Sequence, residues 1–472
     1  MREFTRALNW LLLSGVLSAP ALPVLATEAP RQPYGSVSRA LFGDTLEREH
    51  GVAILGFGHV TIAEANHSIP NSPLPQGRGR NVQPQGGLVQ DEGLNLQHVG
   101  LMACKGAGCP LGRPFAPTRS VFSRIGPLPG PAGDAVVVDW NVSALYGEDG
   151  VYWSMRGFDD WAWNADDTHR LAITQWFLDV YLPIGAGASL LLGSWHTPLA
   201  AEIGYPFVLP NLFSSRTYTF LAAPAKHIGA LLEMRIPLDP AWGLASASFG
   251  LVSDWNSVDF GSGGGPSFMF GARWRSPDMR TWIDIETVYG DGEDDFGDTV
   301  VKGGIPRIRG GGSQYLALSS SGEYLDRFAG YLTATHAAHE RLNLVLEAAY
   351  GFQEGGDLAP VPFAITRDSS FYGVNVGFRY RLAERWHTGA RVEWFRDENA
   401  ANILWGGVGA GGGDVYAVTL SLAWEPIPWV LVRPELKFDS YDGHGHLFAP
   451  DRNGIAQRDS QLLGVLNFEF RF

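Results

Sequence analysis

The chain has 472 residues, with 35 Lys and Arg against 49 Asp and Glu and a formal net charge of −14. That balance argues against a nucleic-acid partner, which rewards clustered Lys and Arg. The 59 Gly, 16 Trp, 15 Tyr and 26 Phe exceed what a soluble helical enzyme usually carries. Beyond the first residues no stretch of about eighteen apolar residues occurs, so membrane residence would have to come from strands.

Residues 1–26 read as a secretory signal peptide. Arg2 and Arg6 open it, an apolar run follows from Trp10 to Leu17, and Val24-Leu25-Ala26 precedes Thr27. A membrane anchor is the rival reading, but Ser14, Gly15, Ser18 and Pro20 leave the run too short to span. Residues 27–133 are rich in Pro, Gly, Asn and Gln, which predicts a loop-rich segment, periplasmic or plug-like, with a few strands. In it, Cys104 and Cys109 (CKGAGCP) predict a small loop disulfide in an oxidising compartment. A metal pair is the weaker alternative, because no further ligand sits nearby at suitable spacing.

From residue 134 to 472 the pattern predicts an all-β protein, an antiparallel up-and-down transmembrane barrel of about sixteen strands. Candidate strands fall near 51–63, 92–103, 134–146, 170–182, 187–197, 226–237, 244–256, 265–275, 280–290, 314–323, 325–337, 342–353, 371–382, 386–397, 414–425, 428–439 and 460–472. That is one more than an even-numbered barrel takes. The final segment shows the alternation most cleanly. Leu462, Leu466, Phe468, Phe470 and Phe472 share one face, while Asn467, Glu469 and Arg471 share the other. Val430, Val432, Leu436 and Phe438 alternate in the same way with Arg433, Glu435, Lys437 and Asp439, and Pro434 is the one blemish. Segments of about ten residues or more suit a tilted strand crossing hydrocarbon, whereas sandwich strands are about half as long. Tight pieces such as 383–385 and 426–428 alternate with longer polar loops such as 291–313, 354–369, 399–413 and 440–459, which is the barrel arrangement. Trp255, Tyr289, Tyr350, Trp386, Trp394, Trp424 and Trp429 sit where segments end, as interfacial girdles would.

The terminal Phe468, Phe470 and Phe472 resemble the C-terminal signature of bacterial outer-membrane proteins. That resemblance implies recognition by the barrel assembly machinery. A second resemblance runs from Gln175 to Arg235. Leu178-Asp179-Val180, Gly193, Thr197-Pro198, Asn211, Ser214, Ser215 and His227-Ile228-Gly229 stand where the OmpL-like family of β-barrel porins carries its motif. The stretches RVEWFRD (391–397) and VRPELKFD (432–439) are similar to that family's closing strands. The resemblance covers roughly residues 135–472. It implies a porin-like barrel in the outer membrane of a Gram-negative bacterium, without naming a solute.

Catalytic chemistry finds weak support. Ser194 and His196 stand two apart on a strand and would matter only with an orienting group across from them; a polar pair lining a pore is the plainer reading. For a barrel enzyme acting on lipid, such a pair would have to face the lipid. The run 158–167 (FDDWAWNADD) and the run 290–298 (GDGEDDFGD) offer carboxylates for a cation, yet lack the Gly and distal Glu of a helix-loop-helix calcium loop. His444 and His446 lack a third ligand in sequence. No cofactor is expected.

The polar faces are more informative. They carry Arg235, Arg273, Arg275, Arg379, Arg381, Arg391, Arg433, Lys437 and Arg471 against Asp179, Glu233, Asp284, Glu286, Glu347, Glu393, Glu435, Asp439 and Glu469, the two signs in equal number. The excess acid therefore belongs to loops and the N-terminal segment, and net charge says nothing of ion selectivity. A balanced, charged interior suits a wet pore better than a dry core, which would have to pair all of it at high cost. The expectation is passive diffusion of small hydrophilic solutes, with outer-membrane lipid around the wall. A structural or adhesive barrel plugged by the N-terminal segment is the remaining alternative.

Overall fold

The computed structural model describes residues 39–41, 43–66, 69–70, 80–81, 93–106, 109, 134–153, 155, 158–159, 169–202, 213–253, 266–292, 325–354, 368–399, 412–427, 429–448 and 458–471. Its main element is a closed antiparallel barrel of sixteen strands. In chain order these are β1 (Val52–Ala65), β4 (Gly93–Lys105), β5 (Val137–Gly147), β6 (Arg170–Leu182), β7 (Ala188–His196), β8 (Lys226–Ile236), β9 (Leu244–Val252), β10 (Ser267–Arg275), β11 (Thr281–Gly292), β12 (Leu325–His339), β13 (Leu342–Gln353), β14 (Ser369–Ala383), β15 (Trp386–Glu398), β16 (Gly412–Ile427), β17 (Val430–Gly443) and β18 (Ser460–Arg471). A separate two-stranded ladder, β2 (Ile69–Pro70) with β3 (Arg80–Asn81), lies in the connection after β1. Among the described residues, three short α-helices accompany them, α1 (Thr45–His50), α2 (Asp149–Trp153) and α3 (Tyr218–Leu221), with a 3-10 turn at Pro240–Trp242.

Each strand pairs with its neighbour in sequence, and β1 closes the ring by pairing with both β4 and β18. The wall therefore begins at Val52 and not at residue 134. Two strands of the segment expected to be loop-rich, β1 and β4, are structural staves. The candidate strand 314–323, the signal peptide and most of both acidic runs lie outside the described residues.

Alternation produces two unlike faces. Outward side chains such as Leu101, Phe270, Val376, Val392, Leu420 and Leu436 are each more than half exposed. On a soluble protein such a belt would be an aggregation surface; around a closed barrel it is the lipid contact. Trp386 stacks on Trp424 at 5.5 Å beside Trp429 at one end, while Tyr289, Tyr350 and Tyr416 stand exposed toward the other. These are the two girdles. Trp394 instead donates its indole N–H to Asp414 (2.9 Å), and Trp255 lies outside the described residues.

Tight hairpins join β6–β7, β8–β9, β10–β11, β12–β13, β14–β15 and β16–β17, all at one end of the barrel. The longer connections gather at the other end. The β4–β5 connection is the exception, a long one at the short-turn end, where Cys104 and Cys109 are joined by a disulfide.

Two bulges reset the alternation. In β4 the outward residues are Leu94 and Leu96 before the bulge, then Val99 and Leu101 after it, because Gln97 and His98 both turn inward. In β6, Thr174 and Gln175 do the same opposite Ser143 and Ala144. An extra residue flips every later side chain to the other face, so each strand stays apolar outward on both sides of its bulge.

Candidate functional site

The inner face holds the polar residues. Among those expected there, Asp179, Glu233, Arg273, Arg275, Asp284, Glu286, Glu347, Arg391, Glu393, Arg433, Glu435, Lys437, Asp439 and Glu469 are all less than a tenth exposed. Arg235, Arg379 and Arg381 are partly exposed at the short-turn end, the last two close enough to act electrostatically on His387. The side chain of Arg471 and all of Phe472 lie outside the described residues. Phe470 points outward and is exposed, and Phe468 is half-buried on the same face.

What covers these charges divides the lumen into sectors. On β8–β11 the polar groups satisfy one another. Arg273 donates to Glu286 (2.8 Å) and to Glu233 (3.0 Å), and Ser246 donates to Glu233 (2.6 Å). Arg275 lies 4.0 Å over the ring of Trp282. Next door, Ser189 donates to Asp179 across the β6–β7 pair.

On β12–β17 the wall binds a segment that the sequence did not place inside the barrel. The described ends of the β7–β8 connection, residues 197–202 and 213–225, fold into the lumen. Its neck is closed by the Thr197 N–H donating to the Ala225 carbonyl (3.1 Å) and by a Thr197–His227 hydrogen bond (3.0 Å). Glu393 accepts from the backbone N–H groups of Tyr218 (3.1 Å) and Thr219 (2.8 Å) and from the Thr219 hydroxyl (2.8 Å). Glu435 accepts from the N–H groups of Ser214 (2.6 Å) and Ser215 (2.9 Å), and Glu347 accepts from that of Ala201. Each carboxylate thus meets backbone donors that burial would otherwise leave unpaired.

Cations complete the seat. Arg391 pairs with Glu202 and lies 4.6 Å over the ring of Phe213, while Lys437 lies 4.6 Å over Tyr218 and also pairs with Asp439 (3.2 Å). The Tyr331 hydroxyl donates to the Thr219 carbonyl (2.9 Å). Thr217 caps α3 by accepting from the Phe220 N–H (2.9 Å). Burial, with Asp439 and Glu393 facing it, pushes the Tyr218 phenol well above its ordinary value, so it remains protonated. Gly373 is shaped for this seat, since a Cβ there would lie 2.4 Å from the Thr219 hydroxyl. Glu347, Arg391, Glu393, Glu435 and Lys437, expected to line open space, therefore anchor an inserted segment.

The signal for that segment was present. Residues 197–225 contain only two charged side chains, Glu202 and Arg216, unlike the acidic 290–298 loop. A long connection that is mostly apolar must be buried or exposed at a cost. Ser214 and Ser215, noted for their family resemblance, are two of its anchoring points. Gly193 has a separate reason: its φ is +130°, and a Cβ would meet the Trp176 carbonyl at 2.2 Å.

Described residues of the β5–β6 connection, Trp153 and Asp159 among them, also turn inward. Asp159 accepts from the N–H of Ile173 (2.7 Å) and from the Lys226 ammonium (3.1 Å), and Trp153 packs against the ring of His196 at 4.5 Å. Ser194 and His196 are both buried, so neither is presented to lipid. The Ser194 hydroxyl makes no hydrogen bond among the described residues, to His196 or to any other group. The third inward cluster brings together His59, His98 and Asp149. His446 bonds Asp459 (2.8 Å) in the β17–β18 loop.

A family model described as "Putative beta-barrel porin-2, OmpL-like" matches residues 130–472. The chain belongs to this family. The porin is similar in fold to solved outer-membrane proteins at very low identity. A loop L8 deletion mutant of OmpT from Vibrio cholerae shares 10% identity over 89% of this chain and 99% of its own, with a TM-score of 0.48. The outer membrane channel DcaP of Acinetobacter baumannii shares 10% over 89% and 97%, with a TM-score of 0.47. OmpF of Salmonella typhi in complex with daunomycin shares 10% over 89% and 97%, with a TM-score of 0.46. No curated protein matches the sequence. The porin is an outer-membrane β-barrel, as both the family and the closed sixteen-stranded wall require.

Proposed function

We propose that this porin lets small hydrophilic solutes diffuse across the outer membrane, past a constriction that the inserted stretches 197–202 and 213–225 form against β12–β17, and that it performs no covalent chemistry. The single observation that carries the reading is the anchoring of that segment by Glu347, Glu393 and Glu435 of the facing wall. A segment held by buried, charge-assisted hydrogen bonds has one position, and a fixed position is what a size-selecting constriction needs. The Arg273–Glu233–Glu286 cluster on the adjoining β8–β11 sector supplies fixed charges of both signs. Passing ions then meet a transverse field and not a single-sign barrier.

The remaining assignments follow general barrel rules. The short-turn end faces the periplasm and the long connections face outward. Residues 1–26 are removed on export, Phe468, Phe470 and Phe472 address the assembly machinery, and outer-membrane lipid covers the apolar belt. The purified protein in a planar lipid bilayer with potassium chloride is expected to give stepwise, ohmic single-channel currents. Silence from protein verified as folded would overturn the channel reading.

A further inference from the structure

Beyond diffusion, the geometry points to a metal site: we propose that His59, His98 and Asp149 bind one borderline divalent transition-metal ion of the zinc class. His59 of β1 and His98 of β4 are direct cross-strand partners. Asp149 is the first residue of α2, at the inner end of the β5–β6 connection. All three are buried, and one ligand atom from each lies within 4.8 Å of the others. Metal–ligand distances of about 2.0–2.2 Å place such atoms closer together than this, which small side-chain rotations supply.

The fold builds the cluster deliberately. The β4 bulge turns both Gln97 and His98 inward; without it His98 would face lipid. Gly147 lies so close to the bulge that a Cβ would sit 2.3 Å from the Gln97 carbonyl, and the Glu148 N–H donates to the Leu96 carbonyl (3.2 Å). Those contacts seat Asp149 beside the two rings, where His98 Nδ1 is 2.6 Å from Asp149 Oδ2. Gln97 bonds both Thr61 (3.2 Å) and Glu148 (3.4 Å), an outer layer that holds the bulge in place.

The decisive observation is His59. It is 2% exposed, and neither of its ring nitrogens makes a hydrogen bond among the described residues. A buried imidazole with two unmatched nitrogens is unfavourable unless something else meets one of them. Two imidazoles and one carboxylate suit zinc and its neighbours, while calcium and magnesium prefer oxygen ligands throughout. Arg216 and Arg433 also face this corner, but Glu202 and Glu469 answer them electrostatically, and Glu148 stands close to Asp149 in the chain. Three protein ligands leave a further coordination position toward the lumen. Both histidines precede the residues that the family model covers, whereas Asp149 lies within them.

The test is calorimetric titration of zinc chloride into the full-length mature protein in detergent after chelator treatment, with heat-modifiable gel migration as the check of folding. One zinc ion per barrel is expected, weakened at least about tenfold in His59→Ala and in Asp149→Asn, and unchanged in His446→Ala. Calcium chloride is expected to give no comparable binding. His59→Ala keeps the test decisive if changes at His98 or Asp149 disturb folding, because the His59 nitrogens bond nothing that the fold would lose. Absence of zinc binding to the folded protein, or equal binding by the folded His59→Ala protein, would overturn the proposal.

Discussion

Arg273 shows what a single lumen residue does here. It is buried between Glu233 and Glu286, so its charge serves two carboxylates at once. Replacing it by Met leaves both without their counter-ion in a covered site, and breaking a buried ion pair from one side costs about 3–5 kcal/mol. Arg273→Met is expected to lower the urea midpoint of the refolded barrel accordingly, whereas Arg235→Met, at a partly exposed position, is expected to change it little. At this scale the sequence was informative about direction and silent about partners. Strand parity alone puts Arg273 and Glu286 inside. The sparse charge of residues 197–225 signals burial, but that Glu393 would bond the backbone of residues 218 and 219 is a long-range pairing that composition does not specify.

At the scale of elements, strands and insertions behave differently. Strands β12–β18 could be read almost to their ends, because ten or more alternating residues overwhelm local noise. Bulges could not, since an extra inward residue such as Gln97 resembles a lapse in the pattern. Leu420 lies mid-strand on the lipid face, so Leu420→Arg is expected to cost about 2–4 kcal/mol of barrel stability in lipid, measured by refolding into bilayers. The inserted segment makes the opposite prediction. Glu393→Gln with Glu435→Gln removes charge-assisted hydrogen bonds of about 1.5–3 kcal/mol each while leaving the wall intact. Single-channel conductance of that double variant is expected to rise and become noisier. Gly373→Leu should do the same without altering charge, since its side chain would occupy the place of Thr219. If the carboxylate variant changes conductance and Gly373→Leu does not, the wall charges act on passing ions directly and not through the segment.

At the scale of the whole molecule, the N-terminal hundred residues change meaning. Their composition suggested something removable, yet β1 and β4 are both staves of the wall. Deleting residues 27–133 is therefore expected to abolish folding, with loss of heat-modifiable migration, and not to unplug a channel. The alternation near 51–63 and 92–103 marked both strands, but the Pro- and Gly-rich stretches on either side left their place in the wall undecided, since composition averages over windows longer than one strand. The net charge of −14 proved equally indirect. The carboxylates of the interior are answered inside it, Glu233 and Glu286 by the shared Arg273, Glu469 by Arg433, and Glu393 and Glu435 by backbone N–H groups.

The seam between β1 and β18 sets a condition on timing. Phe57 lies opposite Arg471 and Ile62 opposite Leu466, so this pairing joins positions about as distant as the chain allows. Until it forms, the sheet is an open ribbon with two raw margins, each able to zip onto a neighbouring chain. Local hairpins can accumulate one after another, but the ring gains its last hydrogen bonds in one late event. Exposure to aggregation is therefore concentrated in the interval before closure. A slip of one residue at that step would put His59 and Glu469 on opposite faces and turn one strand's polar set toward lipid, so the seam is also where a wrong register would be felt most sharply.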